Sequence, residues 1–321
     1  MDALSDVLRA VRLTGAIFFD VQASNPWVAE TPEGKDIVGA MFPGSEHLVS
    51  YHVITAGNCW ATIDGQEPIR LSAGDIIMLP HGDTHVLSST PGLRRSPDVS
   101  MYRVPTDGQL PVSISMGESD GEPTRFVCGF LGCDARPYNP LLAALPRVIH
   151  MTDDARGAIG TFVQFALAES KVPRMGGESV LARLSELMFV DVVRRYLEKL
   201  PEDRTDWLAG LRDPFVGRAL TALHRYPARS WTIEGLAREA ALSRSALAER
   251  FTQFVGRPPM TYLAEWRMQL AASQLLTSTE TVAAVANRVG YDSEAAFSRA
   301  FKKSVGSPPS EWRRQRLAAR A

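Results

Sequence analysis

Apolar positions recur with two different periods along this chain, and the change from one to the other divides it. From Gly15 to about Val127, short apolar runs alternate with Gly, Pro, Asp and Asn: GAIFFDV, LVSYHVITAG, CWATIDG, EPIRLSAGDIIMLPHG, THVLSS, VSMYRV and TRFVCGFL. Runs of this length between turn residues predict the strands of an antiparallel sandwich or barrel. Asp64-Gly65, Ala73-Gly74-Asp75 and Pro80-His81-Gly82-Asp83 supply the hairpin turns. Ahead of the strands, Asp2 to Val11 sets Leu4, Val7, Leu8 and Val11 on one side of a short amphipathic helix.

Beyond Cys133 the period becomes helical. Asn139 to Ile149 and Arg156 to Ser170 predict helices. Glu178 to Leu200 predicts a long one, with Val180, Leu181, Leu184, Leu187, Met188 and Val192 at i, i+3, i+4 spacing and Asp191 interrupting the stripe. Such a stripe can pack on its own domain or join two copies of the chain. The polar stretch Pro201 to Asp206 then breaks the helix and predicts a linker.

From Trp207 onward everything reads as helix, and a pattern repeats. Residues 233–267 (IEGLAREAALSRSALAERFTQFVGRPPMTYLAEWR) return as 281–313. Ser243, Leu247, Phe251, Gly256 and Pro258-Pro259 pair at an offset of 50 with Ser293, Phe297, Phe301, Gly306 and Pro308-Pro309, while Ala237 pairs with Ala286 at 49. The second turn is therefore one residue longer. Each copy is a short apolar helix, a turn, and a capped helix with a polar outer face, which describes a helix-turn-helix. Two in frame predict a reader of double-stranded DNA, with the second helix of each in the major groove.

Charge supports the division. From Leu208 on there are 17 Lys and Arg against 9 Asp and Glu, leaving 18 against 27 for residues 1–207. The basic part is the one suited to a polyanion. Composition is that of a globular protein, 45% hydrophobic and 22% charged. No apolar run has the length of a membrane span and the N-terminus lacks a signal-peptide layout, so the expected location is the cytoplasm. Cys59, Cys128 and Cys133 are too few for a disulfide framework and read as reduced thiols.

HVITAGNCWATIDGQEPIRLSAGDIIMLPHGDTH resembles a cupin, a small jelly-roll barrel. Gly74, Pro80, Gly82 and His85 match that family's second motif, and Gly57 the glycine closing its first. The resemblance implies three histidines and a glutamate around a metal. Here the glutamate position falls near Ser50, the paired-histidine positions fall at Pro43 to Glu46, and His47 is out of register. A substitute set remains open: His52 and His85 with Cys59 or Cys128 would suit zinc. So do a redox-sensing thiol at Cys128 or Cys59 and a pocket for a small-molecule effector lined by His52, Trp60, Met78 and His85. No cofactor other than that zinc is implied.

The C-terminal hundred residues resemble the DNA-binding domain of AraC/XylS-type transcription regulators, the second copy almost throughout. The resemblance implies two helix-turn-helices joined by a long helix, about Met260 to Leu276, reading two successive major grooves. Helical periodicity leaves Arg244, Ser245 and Glu249 outward on the first recognition helix, and Glu294, Ser298, Arg299 and Lys302 on the second. Arg299 is the expected base reader, because guanidinium binds guanine through two bonds. Arg244, Lys302, Lys303, Arg313 and Arg314 are expected to hold phosphates.

The chain is therefore expected to be an α+β multidomain regulator. Residues 1–135 form a cupin-like β jelly roll with flanking helices, 136–206 a helical connector and dimerisation region, and 207–321 an all-α double helix-turn-helix. Its partners would be DNA, an effector, a second copy of the chain as a homodimer, and RNA polymerase. The competing class, a metal-dependent cupin enzyme fused to a DNA module, is weakened by the incomplete metal set and the lack of a nucleophile–base pair or phosphate loop.

Overall fold

The computed structural model describes residues 2–103, 110–117, 122–152, 159–171 and 174–318. Helix α1 (Ala3–Ala10) precedes strands β1 (Thr14–Ala23) and β2 (Val28–Thr31), helix α2 (Gly34–Met41), and strands β3 (His47–Ala56), β4 (Asn58–Ile63), β5 (Ile69–Ser72) and β6 (Ile76–Leu79). Strands β7 (His85–Ser88), β8 (Val112–Met116) and β9 (Thr124–Cys133) follow, then α3 (Pro140–Ala144), β10 (Ile149–Met151), α4 (Ile159–Lys171) and α5 (Gly177–Glu198). The remainder is helical: α6 (Trp207–Arg212), α7 (Val216–Arg225), α8 (Ile233–Glu239), α9 (Arg244–Val255), α10 (Pro259–Thr277), α11 (Val282–Arg288), α12 (Glu294–Val305) and α13 (Pro309–Ala318).

Two local expectations are corrected. Ile149 ends no helix; it opens β10, which pairs with β6 through Ile149–Met78. Val99–Met101 is a single 3-10 turn capped by Asp98, not a strand. The expected start of α4 at Arg156 and the end of VSMYRV at Val104 lie outside the described residues.

Two compact units result. One is drawn from Leu13–Cys133 and Pro146–Glu198, the other from Met1–Arg12, Asp134–Leu145 and Lys199–Ala321. They do not follow the breaks at 135 and 206 that the pattern suggests. Helix α1 buries Ala3, Val7 and Ala10 and packs with α3, α7 and α10 of the C-terminal unit. Its single apolar stripe is legible in the sequence, but which surface covers that stripe is not.

The first unit is a two-sheet sandwich. Six strands lie in the order β10-β6-β3-β9-β1-β8 and four in the order β2-β7-β4-β5, with β1 and β8 the parallel pair. Period-2 alternation sends one face of each strand inward. Ile54, Ile77, Leu79, Cys128, Phe126 and Phe130 thus meet Cys59, Ala61, Ile63 and Leu87 in a common core. The other face of the six-stranded sheet carries Tyr51 and Met78, paired directly, and is covered by α5. A side chain at Gly15 would stand 2.7 Å from Ser185 Cβ, so α5 approaches β1 as closely as it does only because residue 15 lacks one. The apolar stripe of α5 is buried inside this unit, with Leu181, Met188, Val192 and Val193 all covered.

In the second unit the helices are built around large buried side chains. Tyr262 and Trp266 of α10 and Phe251 of α9 are fully buried, each worth about 1.5–3 kcal/mol in removed apolar surface. The Tyr262 hydroxyl accepts the Trp207 indole N–H at 2.8 Å and lies 2.6 Å from His224 Nε2. A second core collects Leu275, Val285, Val289, Phe297, Phe301 and Trp312.

Candidate nucleic-acid interface and effector cavity

The repeat becomes two superimposable cap patterns. Thr232 and Thr281 accept the N–H of Gly235 and Ala284 at the starts of α8 and α11. Ser243 and Ser293 accept those of Ala246 and Ala296, at 3.2 Å each, at the starts of α9 and α12. Such caps stabilise a helix by about 1 kcal/mol each. Gly256 and Gly306 end α9 and α12 in left-handed conformations, φ 76° and 91°. The two turns close by equivalent bonds, Leu242 N to Ala237 O and Tyr291 N to Ala286 O. The one-residue insertion therefore lies at Asp292, between that bond and the second cap.

Each pair of helices presents one outer face. Leu247, Phe251, Phe297 and Phe301 are buried, while Arg244, Ser245, Glu249, Glu294, Arg299, Lys302 and Lys303 are exposed and Ser298 is half-buried. Arg244 pairs with Glu234 at 3.2 Å across an exposed surface. The connecting helix α10 has 19 residues, a length of about 28 Å at 1.5 Å per residue. Arg313 departs from expectation. Its guanidinium donates to Leu275 O at 2.9 Å and Glu280 O at 2.7 Å, holding the chain at the end of α10.

The sandwich holds a cavity of about 210 Å³ that opens along the exposed residues Arg95, Ser96, Asp98 and Met101. Phe19, Val21, Ile114, Phe126, Phe130 and Tyr102 supply its apolar wall, and His52, Cys128, Thr31, Glu30, Arg95 and Asp98 are among its polar lining. His52 and Cys128 stand directly opposite in the β3–β9 register, placing the thiol sulfur 3.0 Å from His52 Nδ1. On the ring's other side His52 Nε2 lies 2.6 Å from His85 Nε2, and His85 Nδ1 is 2.8 Å from the Asp83 carbonyl. Burial holds both imidazoles neutral, His85 at a pKa of about 4 and His52 well below its ordinary value. The same burial raises the Cys128 thiol.

Known proteins share both parts. A Cupin family model matches residues 2–198, and a Helix-turn-helix domain model matches residues 236–315. A putative AraC-like transcription regulator of Streptomyces lividans is 34% identical over 323 residues, covering 98% of each chain. The chain belongs to the AraC-type transcription regulators. The regulator AlkR of Acinetobacter baylyi is 28% identical over 98% of this chain and 100% of its own. Among solved structures, the DNA-binding domain of AdpA in complex with a target DNA is 31% identical, covering 34% of this chain and 96% of that one, with a TM-score of 0.32. This regulator is thus a DNA-binding protein with a cupin-like domain, and not an enzyme.

Within the regulator's barrel the expected site residues separate. His52 lines the cavity and His85 stands behind it; Trp60 and Met78 do not line it. Parity is the reason. Cys59 and Ala61 take the inner face of β4, so Trp60 points out, and Met78 shares the outer face of its sheet with Tyr51. Nor do His52, His85, Cys59 and Cys128 make a zinc site. A metal between the two Nε2 atoms would have the imidazole between it and Cys128, and Cys59 has the Asp75 charge as its neighbour. Among the described residues no group of three His, Cys, Asp or Glu is arranged to hold a metal ion. Phe19, Val21, Tyr102 and Phe130 were legible only as generic strand residues, because the cavity is made by strands far apart in sequence. No described helix is long and apolar enough to cross a membrane.

Proposed function

We propose that the regulator acts in the cytoplasm as a homodimer that binds paired sites on duplex DNA and is controlled by a small effector in the barrel cavity. Helices α9 and α12 enter successive major grooves. Arg299, Glu249, Ser245 and Ser298 face base edges, while Arg244, Lys302 and Lys303 hold phosphates and Glu294 stands at the start of α12. RNA polymerase is the downstream partner. The sensing half rests on one observation: a concave, partly open cavity in the sandwich has an aromatic inner wall with a few polar groups, His52 and Cys128 among them, which is the make-up of a small-molecule site. The stripe of α5 is not available to a second copy. Phe165 on α4, Met175 and the one stripe residue left exposed, Leu187 on α5, are the apolar side chains this region offers for dimerisation.

The test begins with DNA fragments from upstream of the protein's own and neighbouring coding regions, measured by fluorescence anisotropy over a range of salt. A thermal-shift screen of metabolites then supplies compounds whose effect on DNA affinity is measured. Sequence-specific binding with a steep salt dependence, altered by a compound that no longer acts on Ile114→Trp, supports the proposal. Indifference of DNA affinity to every stabilising compound would remove the sensing half, and a monomer on DNA would remove the dimer.

A further inference from the structure

The relay behind the cavity has only one arrangement of hydrogens that satisfies every contact. The Asp83 carbonyl can only accept, so His85 Nδ1 carries a hydrogen and its Nε2 is a lone pair. The 2.6 Å contact then requires the hydrogen on His52 Nε2, leaving His52 Nδ1 as a lone pair facing Cys128 Sγ at 3.0 Å. The thiol therefore donates. Both imidazole nitrogens of His52 are engaged, so what this cluster offers a ligand in the cavity is the sulfur, with a base already in contact with its hydrogen.

We propose that the cavity captures a small apolar α,β-unsaturated carbonyl compound as a thioether on Cys128, with His52 as the base; this rests on reading the cavity as the effector site. The Cys128 sulfur adds its electron pair to the β-carbon, forming the C–S bond. The alkene π pair moves to give an enolate, and the thiol hydrogen passes as a proton to His52 Nδ1. The imidazolium donates through its Nε2–H to His85 Nε2, and the Asp83 carbonyl and Glu30 carboxylate favour the protonated form of the His85 ring that receives this hydrogen bond. The proton then returns from Nδ1 to the α-carbon, leaving a neutral thioether and a neutral relay. Neither an oxidant nor a leaving group is needed.

Phe126 and Phe130 flank Cys128 on the inner face of β9 and Phe19 stands across from it on β1, so the wall beside the sulfur is aromatic and selects for an apolar reagent. The volume lies below the ~300–1,000 Å³ usual for ligand clefts, so the compound is small. Cys59 makes an informative contrast. Burial pushes both thiols up, but Cys59 has the Asp75 carboxylate as its charged neighbour where Cys128 has an imidazole in contact. His85 is a positioning residue that fixes the tautomer of His52.

N-ethylmaleimide and its saturated analogue N-ethylsuccinimide provide the probe. The full-length native protein is followed by intact mass and peptide mapping, with DNA affinity measured before and after. We expect a single maleimide adduct on Cys128, formed roughly tenfold or more slowly in His52→Gln, and a change in DNA affinity of roughly fivefold or more. His85→Gln, which can still accept from His52 Nε2, is expected to keep the fast rate that His85→Phe loses. Reaction of Cys59 or Cys133 as fast as Cys128 in the unmodified protein overturns the proposal without relying on any variant. An unchanged rate in folded His52→Gln does the same. If N-ethylsuccinimide alters DNA affinity as strongly as the maleimide, the covalent step fails and the effector site stands. A Cys128 adduct without any effect on DNA binding removes both.

Discussion

Two arginines on the second helix-turn-helix carry the same charge and different work. Arg313 donates to Leu275 O and Glu280 O, so its guanidinium belongs to the interior architecture. Arg299 is exposed on α12, nearly two turns from the Ser293 cap. Arg299→Ala is expected to weaken operator binding by about 1–3 kcal/mol and to relax preference at one base pair. Competition with operators varied one base pair at a time checks this; a loss uniform over all of them would make Arg299 a phosphate contact. His224 supports a prediction of another kind. Burial depresses its pKa to about 3, whereas in the unfolded chain it titrates near 6.5. Below that value the unfolded state binds the extra proton, so this contribution is complete above pH 6.5 and falls by about 1.4 kcal/mol per unit beneath it. Urea unfolding of the wild type should therefore lose stability from pH 6.5 to 5 more steeply than His224→Phe. Equal slopes would mean that His224 is protonated in the fold.

At the scale of elements, what was legible in the sequence depended on how near in the chain the partners lie. Ser243 and Ser293 announce their helices because a cap acts three residues away, and Gly256 and Gly306 end them by backbone conformation alone. The helix-turn-helices could accordingly be read almost residue by residue, down to the longer second turn, whose extra residue the turn bonds place at Asp292. The cavity could not. His52 meets Cys128 because β3 lies beside β9, a pairing 76 residues apart in the chain, and Trp60 and Met78 were misassigned by a single step of strand parity. The same strand pair yields a prediction. Tyr51 lies directly across from Gly129, and a methyl group at residue 129 would stand 1.9 Å from the Tyr51 ring. The ring is held by its hydroxyl, 2.8 Å from that of Ser185, and cannot swing clear without breaking a buried hydrogen bond. Gly129→Ala should destabilise the sandwich by about 1–3 kcal/mol, read as a lowered thermal midpoint of that unit while the helical unit melts unchanged. A midpoint equal to wild type would mean that the outer face yields more readily than its packing implies.

For the whole molecule, the decisive feature is how the chain leaves the barrel. Strand β9, which carries Cys128, runs into Asp134, and from there to Leu145 the chain belongs to the helical unit. Asp134 pairs with Arg12 at 2.5 Å. The Tyr138 N–H donates to Gln269 Oε1 at 3.1 Å, and the Tyr138 ring meets Tyr262 edge-on at 5.8 Å with the Arg257 guanidinium 4.9 Å from its centre. Gln269 and Tyr262 both lie on α10, the helix that joins the two helix-turn-helices. Residues 134–145 thus link the end of β9 by continuous backbone to a segment bonded to α10, and coupling through this segment is the hypothesis that follows. Coupling of this kind is a free energy shared between sites, typically 1–3 kcal/mol, and it needs a physical element that both sites bias. Gln269 is such a candidate, fully buried and with its side-chain oxygen committed to Tyr138. Gln269→Leu keeps the volume and removes the bond. Its expected signature is operator affinity within about threefold of wild type without effector, an effector binding constant unchanged in calorimetry, and an effector-induced change in operator affinity that falls towards none. Retention of the full response would place the coupling elsewhere. A collapse of basal affinity would make Gln269 a part of the DNA-binding fold alone.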